Sequence, residues 1–201
     1  MEDKQEKNMN LGKIFIFFLA VVGILIFYNQ FQIMQISGSI TGKTTNSFKL
    51  GEIPKGIPDV YGQELGVSFD NPVQGMNVLN QFDDMSGAEG RGSKRIQLDS
   101  QGQDRYMKLG FSIACEFCCG ATSLIDNRGQ PACACAHSGA MRGLAKYLLE
   151  NHPEMSDQQI LDELTKWKTL FFPKQMMQKA GNANPSNPSV VSNVPEMVGG
   201  C

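Results

Sequence analysis

SGAMRGLAKYLLEN (138–151), HPEM (152–155) and SDQQILDELTKWKTLFF (156–172) decide the fold of this chain. In the first segment Met141, Leu144, Ala145 and Leu148 recur at helical spacing and form one apolar face. Ser156 opens the next helix. Ser156 and Gln159 fit a capping box, in which the serine hydroxyl accepts from the Gln159 amide. Ile160, Leu164, Trp167 and Phe171 then follow at i, i+4, i+7 and i+11. Pro173 cannot continue that helix. So short a connection makes the two helices antiparallel neighbours. The reading is a mainly α fold with an αα-hairpin packed on the loop that precedes it.

That loop is rich in cysteine. CEFCCG (115–120) and CACAH (133–137) give C-x2-C-C-x13-C-x-C-x-H, at Cys115, Cys118, Cys119, Cys133, Cys135 and His137. A thiophilic ion wants thiolates, and a tetrahedral site wants four donors. Two short-spaced groups of donors on two loops is the usual way to build such a site. Gly120 and Gly129 supply turns, and 127–129 (NRG) reads as the tip. Zinc is the first expectation and copper(I) the alternative. Adjacent Cys118 and Cys119 do not easily face one ion together, so one of them is spare. Two other uses of these sulfurs stay open. One is a disulfide staple. The other is thiol–disulfide exchange, with Cys115 and Cys118 as the pair and Cys133 or Cys135 resolving. A helix at 100–113, with Tyr106, Leu109 and Ile113 on one face, ends near Cys115 and does not begin there, which disfavours exchange. An iron–sulfur cluster fits poorly outside the cytoplasm. Covalent haem is excluded because C-x-x-C-H is absent. His137, beside the helix start, is either a ligand or a simple hydrogen-bonding partner. His152 reads as a surface cap.

The last residue is Cys201, after VGG, on a tail from 174 that composition predicts to be disordered. A flexible chain of that length spans roughly 30 Å. Cys201 is therefore a further candidate ligand or resolving thiol, or else an idle or interchain-paired one.

Upstream, residues 51–73 are rich in Gly and Pro, and Pro54 and Pro58 forbid a long helix. Residues 74–84 suggest a short helix with Val78, Leu79 and Phe82 on its apolar face. Residues 37–50 form a polar linker. Their GSITGKT imitates a phosphate-binding loop, but Gly38 stands one residue too close to Gly42, so no nucleotide is expected. Residues 14–28 (IFIFFLAVVGILIFY) are unbroken apolar sequence preceded by Lys4, Lys7 and Lys13. They read as an uncleaved single-pass anchor within 1–36, with a cleaved signal peptide as the alternative. The lysines put the N-terminus in the cytoplasm and the body, 51–173, outside. A net charge of −2 leaves no basic footprint for nucleic acid.

CEFCCG and CACAHSGAMRGLAKYL (133–148) resemble a family of uncharacterised membrane-anchored microbial proteins. The likeness continues through ILDELTKWKTLFFP (160–173) and the terminal MVGGC (197–201), and reaches back to IPDVYGQELGVSFD (57–70). It implies one coherent domain to which the tail belongs, and no activity. A looser likeness is to the cytochrome c maturation thiol proteins, where a C-x-x-C is followed by a helical hairpin beside a membrane anchor. The C-x-C-x-H half departs from them, so their dithiol chemistry does not carry over. The expectation is a membrane-anchored metal-binding protein. A thiol–disulfide redox protein of the envelope is the alternative, and an interaction module whose site only holds the fold is a third class. No nucleophile comes with a base and an orienting residue, so an enzyme is not expected.

Overall fold

The computed structural model describes residues 15–24, 49–87, 90–181 and 194–200. The chain divides into two units, Met1–Asn46 and Ser47–Cys201. In the first, residues 15–24 form helix α1, and Phe15, Phe17, Leu19 and Ile24 on it are exposed. Among the described residues no helix is long and apolar enough to cross a membrane. The rest of the expected span, and most of the linker after it, lie outside the described residues.

The second unit contains α2 (Gly62–Leu65), α3 (Pro72–Asn80), α4 (Ser100–Ser112), α5 (Ala136–Asn151), α6 (Asp157–Phe171) and α7 (Pro173–Gly181). The described residues hold no β-strand, only an isolated bridge between Ile125 and Pro131, so the fold is mainly helical as expected. The hairpin is α5 and α6, packed on each other. The capping box at the start of α6 is complete: the Gln159 amide donates to Ser156 Oγ at 3.3 Å, and the Ser156 amide to Gln159 Oε1 at 2.8 Å. Trp167 is fully buried on the inner face of α6, and its indole N–H donates to Tyr61 Oη at 2.7 Å. The Tyr61 hydroxyl in turn donates to Glu163 at 3.0 Å. That relay secures the Gly/Pro-rich segment, where α2 is only one turn long.

α5 is the central element. It packs against α3, α4 and α6, and is buried nearly all round, including Arg142 and Lys146. Gly139 and Gly143 lie one turn apart on it and let α3 approach closely. A Cβ added at Gly143 would lie 2.0 Å from the Leu79 carbonyl oxygen, which is backbone and cannot swing aside. Overpacking of this kind costs about 1–3 kcal/mol. Gly143→Ala is therefore expected to lower stability by about 3 kcal/mol, at the top of that range, read as a fall in the urea midpoint. A loss below about 0.5 kcal/mol would show that α3 and α5 are not pressed together here.

Two expectations are corrected. The short helix begins at Pro72, because Asn71 caps it by accepting from the Gln74 amide, and it ends at Asn80, leaving Phe82 buried beyond it. The tail is not structureless from 174. Pro173 ends α6 yet opens α7, where a missing N–H leaves no bond unmade. Residues 194–200 lie on the domain. The Val198 amide donates to Phe171 O at 2.9 Å, and Lys174 pairs with Glu196 at 2.7 Å.

Candidate metal centre

The cysteine loop folds back on itself between α4 and α5. The Ala132 amide donates to Leu124 O at 3.1 Å and the Asp126 amide to Gln130 O at 2.7 Å, around a tip at 127–129 where Gly129 has φ +75°. Leu124 and Ile125 are fully buried and pin this small turn to the core. The fold-back carries the 133–137 half of the motif to the 115–119 half.

α5 begins two residues earlier than its apolar face suggested. Cys135 is its N-cap, and Cys135 Sγ accepts from the Ser138 amide at 3.3 Å. Cys115 Sγ lies 3.6 Å from Cys135 Sγ. Two sulfurs about 2.3 Å from one tetrahedral zinc stand about 3.8 Å apart, so the spacing fits a shared ion. His137 completes the group: the donor atoms of Cys115, Cys135 and His137 all lie within 4.8 Å of one another. His137 is fully buried, between the rings of Phe171 and Phe172 at 5.1 and 4.8 Å. Its Nε2–H donates to the Val198 carbonyl at 2.8 Å. A backbone carbonyl bonded to one ring nitrogen is a common way of orienting a metal-binding imidazole.

Electrostatics separate the two thiols. A hydrogen bond from Cys115 holds the Cys135 thiol well below its ordinary value; burial opposes this, and His137 and the Ser138 amide add to it. Cys115, which gives that hydrogen bond and is buried, is pushed up. Beside them, Glu116 sits in the left-handed region at φ 37°. Its carboxylate takes Lys168 at 2.8 Å and Lys179 as well, which ties the loop to α6 and α7.

The second half of the motif is held by a buried ion network. Arg142 is fully buried and pairs with Asp83 through two bonds, Nε to Oδ1 at 2.8 Å and Nη2 to Oδ2 at 2.9 Å. Arg142 Nη1 also donates to the Cys133 carbonyl at 3.0 Å. Arg91 joins the same carboxylate and donates to the Ala134 carbonyl at 2.6 Å. Asp83, Arg91 and Arg142 therefore position the backbone on either side of Cys135. Sequence patterning did not mark them. A cleft of about 460 Å³, lined by Met76, Asn80, Arg91, Ala134, Ala136 and Gly199, opens beside that backbone.

The motif's donors do not all enter one group. Cys119 and Cys133 are joined as a disulfide, so the staple expected as an alternative is present in part. Cys118 is likewise disulfide-bonded, whereas Cys115 is a free, buried thiol. The sulfurs of Cys119, Cys133 and Cys135 nevertheless form a second group within 4.8 Å. His152 caps the end of α5 and pairs with Glu64 at 3.0 Å, away from the cysteines, as its surface reading required. Cys201 lies outside the described residues. The described residues thus contain Cys/His groups able to hold a metal ion. No protein-family model, curated protein or solved structure matches the chain.

Proposed function

We propose that the chain is a membrane-anchored metal-binding protein that holds one zinc ion through Cys115, Cys135 and His137. The observation that carries this reading is the close approach of three donors: the Cys115 and Cys135 sulfurs are 3.6 Å apart, and the donor atoms of Cys115, Cys135 and His137 lie within 4.8 Å of one another. The bond from the His137 ring to the Val198 carbonyl holds the imidazole beside those two thiols. Burial supports metal over exchange with a protein substrate. Cys115 and His137 are fully buried and Cys135 is 9% exposed, whereas exchanging thiols are partly open. Three protein donors leave a fourth place on zinc open, and the residues on either side of Cys135, Ala134 and Ala136, line a cleft. Metal handling is therefore a use this centre suits, beyond holding the fold. The apolar run at 14–28 is the anchor, and the Cys119–Cys133 disulfide supports a body outside the cytoplasm, where disulfides persist.

The test uses the full chain, purified in detergent without chelators. One equivalent of zinc is expected by elemental analysis. Cobalt(II) in its place is expected to show thiolate charge-transfer absorption that Cys115→Ser weakens and Cys201→Ser leaves unchanged. A chain that holds neither ion would end the reading. Preference for one copper(I) over zinc in competition would replace the ion and keep the donors.

A further inference from the structure

Cys135 belongs to both donor groups, the one with Cys115 and His137 and the one with Cys119 and Cys133. A thiolate sulfur has lone pairs enough to bridge two ions. In the disulfide state only the first group has its full set of donors. The second has one thiol and two sulfurs bonded to each other, with Cys119 at the surface and Cys133 buried. We propose that reduction of the Cys119–Cys133 disulfide opens a second zinc site, Cys119, Cys133 and Cys135, which shares the Cys135 thiolate with the first.

The proposal rests on the zinc reading of the first group. The electron balance is simple. A dithiol reductant attacks the exposed Cys119 side of the disulfide, the Cys119–Cys133 bond breaks, and the reductant's two sulfurs leave as a cyclic disulfide. Two electrons and two protons pass to the protein and make two thiols. These lose their protons as zinc binds. The Cα atoms of Cys119 and Cys133 are 6.8 Å apart, so two sulfurs about 3.8 Å apart on one ion need only rotation of the side chains. The backbone on either side of Cys135 is braced independently of the sulfurs, because Arg142 holds the Cys133 carbonyl and Arg91 the Ala134 carbonyl. The exposed disulfide then acts as the gate of a bridged pair of sites whose capacity follows the redox state around it.

The test is zinc stoichiometry on the full chain carrying Cys118→Ser and Cys201→Ser, so that only Cys119–Cys133 responds to reductant. Zinc is titrated against a chromophoric chelator before and after treatment with a phosphine, which is then removed. One equivalent before and two after is expected. Adding Cys119→Ser should hold the count at one in both states. Adding Cys115→Ser should leave one equivalent, appearing only after reduction. One equivalent in both states without those additions overturns the second site and leaves the first standing, as does two equivalents before reduction. None in either state overturns the zinc reading beneath both. A Cys115→Ser chain that binds nothing after reduction overturns the claim of two separable sites. Circular dichroism confirms that each variant is folded, and Cys119, being exposed, is the mildest of them.

Discussion

Asp83→Ala is expected to cost about 3–5 kcal/mol of folding stability, a large share of the roughly 5–15 kcal/mol of an ordinary domain. The argument is one of desolvation. Asp83 and Arg142 both have fully buried side chains, at 0% exposure each. Their pairing offsets the loss of water because both carboxylate oxygens take the Nε/Nη2 edge of the guanidinium, while Nη1 is satisfied by the Leu124 and Cys133 carbonyls and Ser138 Oγ. Removing the carboxylate leaves Arg142 charged, buried and facing an empty space. Arg91, at 13% exposure, can turn toward solvent, but Arg142 has no such route. The urea midpoint should fall with little change in slope. Asp83→Ala combined with Arg142→Met should recover much of the loss, because the uncompensated charge goes with it. A double variant no more stable than the single would show that packing around Asp83, rather than charge, sets the cost.

The hairpin was legible because its information is local. Ser156, Gln159 and the apolar series from Ile160 to Phe171 lie within one helix, and the structure reproduces them. Arg142 and Lys146 were not legible as buried. Charged residues on a helix ordinarily mark its wet face, and their partners Asp83 and Asp84 lie 59 and 62 residues away in sequence. The start of α5 was misplaced for a chemical reason. Ser, Thr, Asp and Asn announce an N-cap, and cysteine does not, so Cys135 read only as a candidate ligand and not also as a cap. Exchange was disfavoured at Cys115, where a helix ends, and the thiol at a helix start is Cys135 instead. Gly139 and Gly143, spaced by four, were the available signal for the α3 contact. The donor set was visible as a set, but its partition was not. Six cysteines allow fifteen full pairings, and spacing alone does not choose among them. The tail was misread because Asn, Pro and Ser dominate 182–193, while KQMMQKA before them carries Met176, which is buried.

Cys135→Ser is expected to abolish both metal groups while keeping the fold, which makes it the most informative single change at the centre. Serine is a better N-cap than cysteine, so the Ser138 amide keeps its acceptor and α5 keeps its start. The hydroxyl, however, stays protonated at neutral pH and is a poor zinc ligand. Structural zinc sites bind with about 10–16 kcal/mol shared over four donors, so losing one thiolate costs about 2.5–4 kcal/mol, or about 10²–10³ in affinity. Both groups depend on Cys135, so neither has a route around the change. Thermal melting reads this directly. Zinc at about a hundred times its dissociation constant should stabilise the native chain by about 2.7 kcal/mol, a rise of about 5–10 °C. The same zinc should leave Cys135→Ser where it was. His137→Gln should fall between the two, because it removes one donor of the first group and leaves Cys115 and Cys135 in place. A zinc-induced rise that survives Cys135→Ser would mean that the ion sits elsewhere. The close approach of Cys115 to Cys135 would then be packing alone.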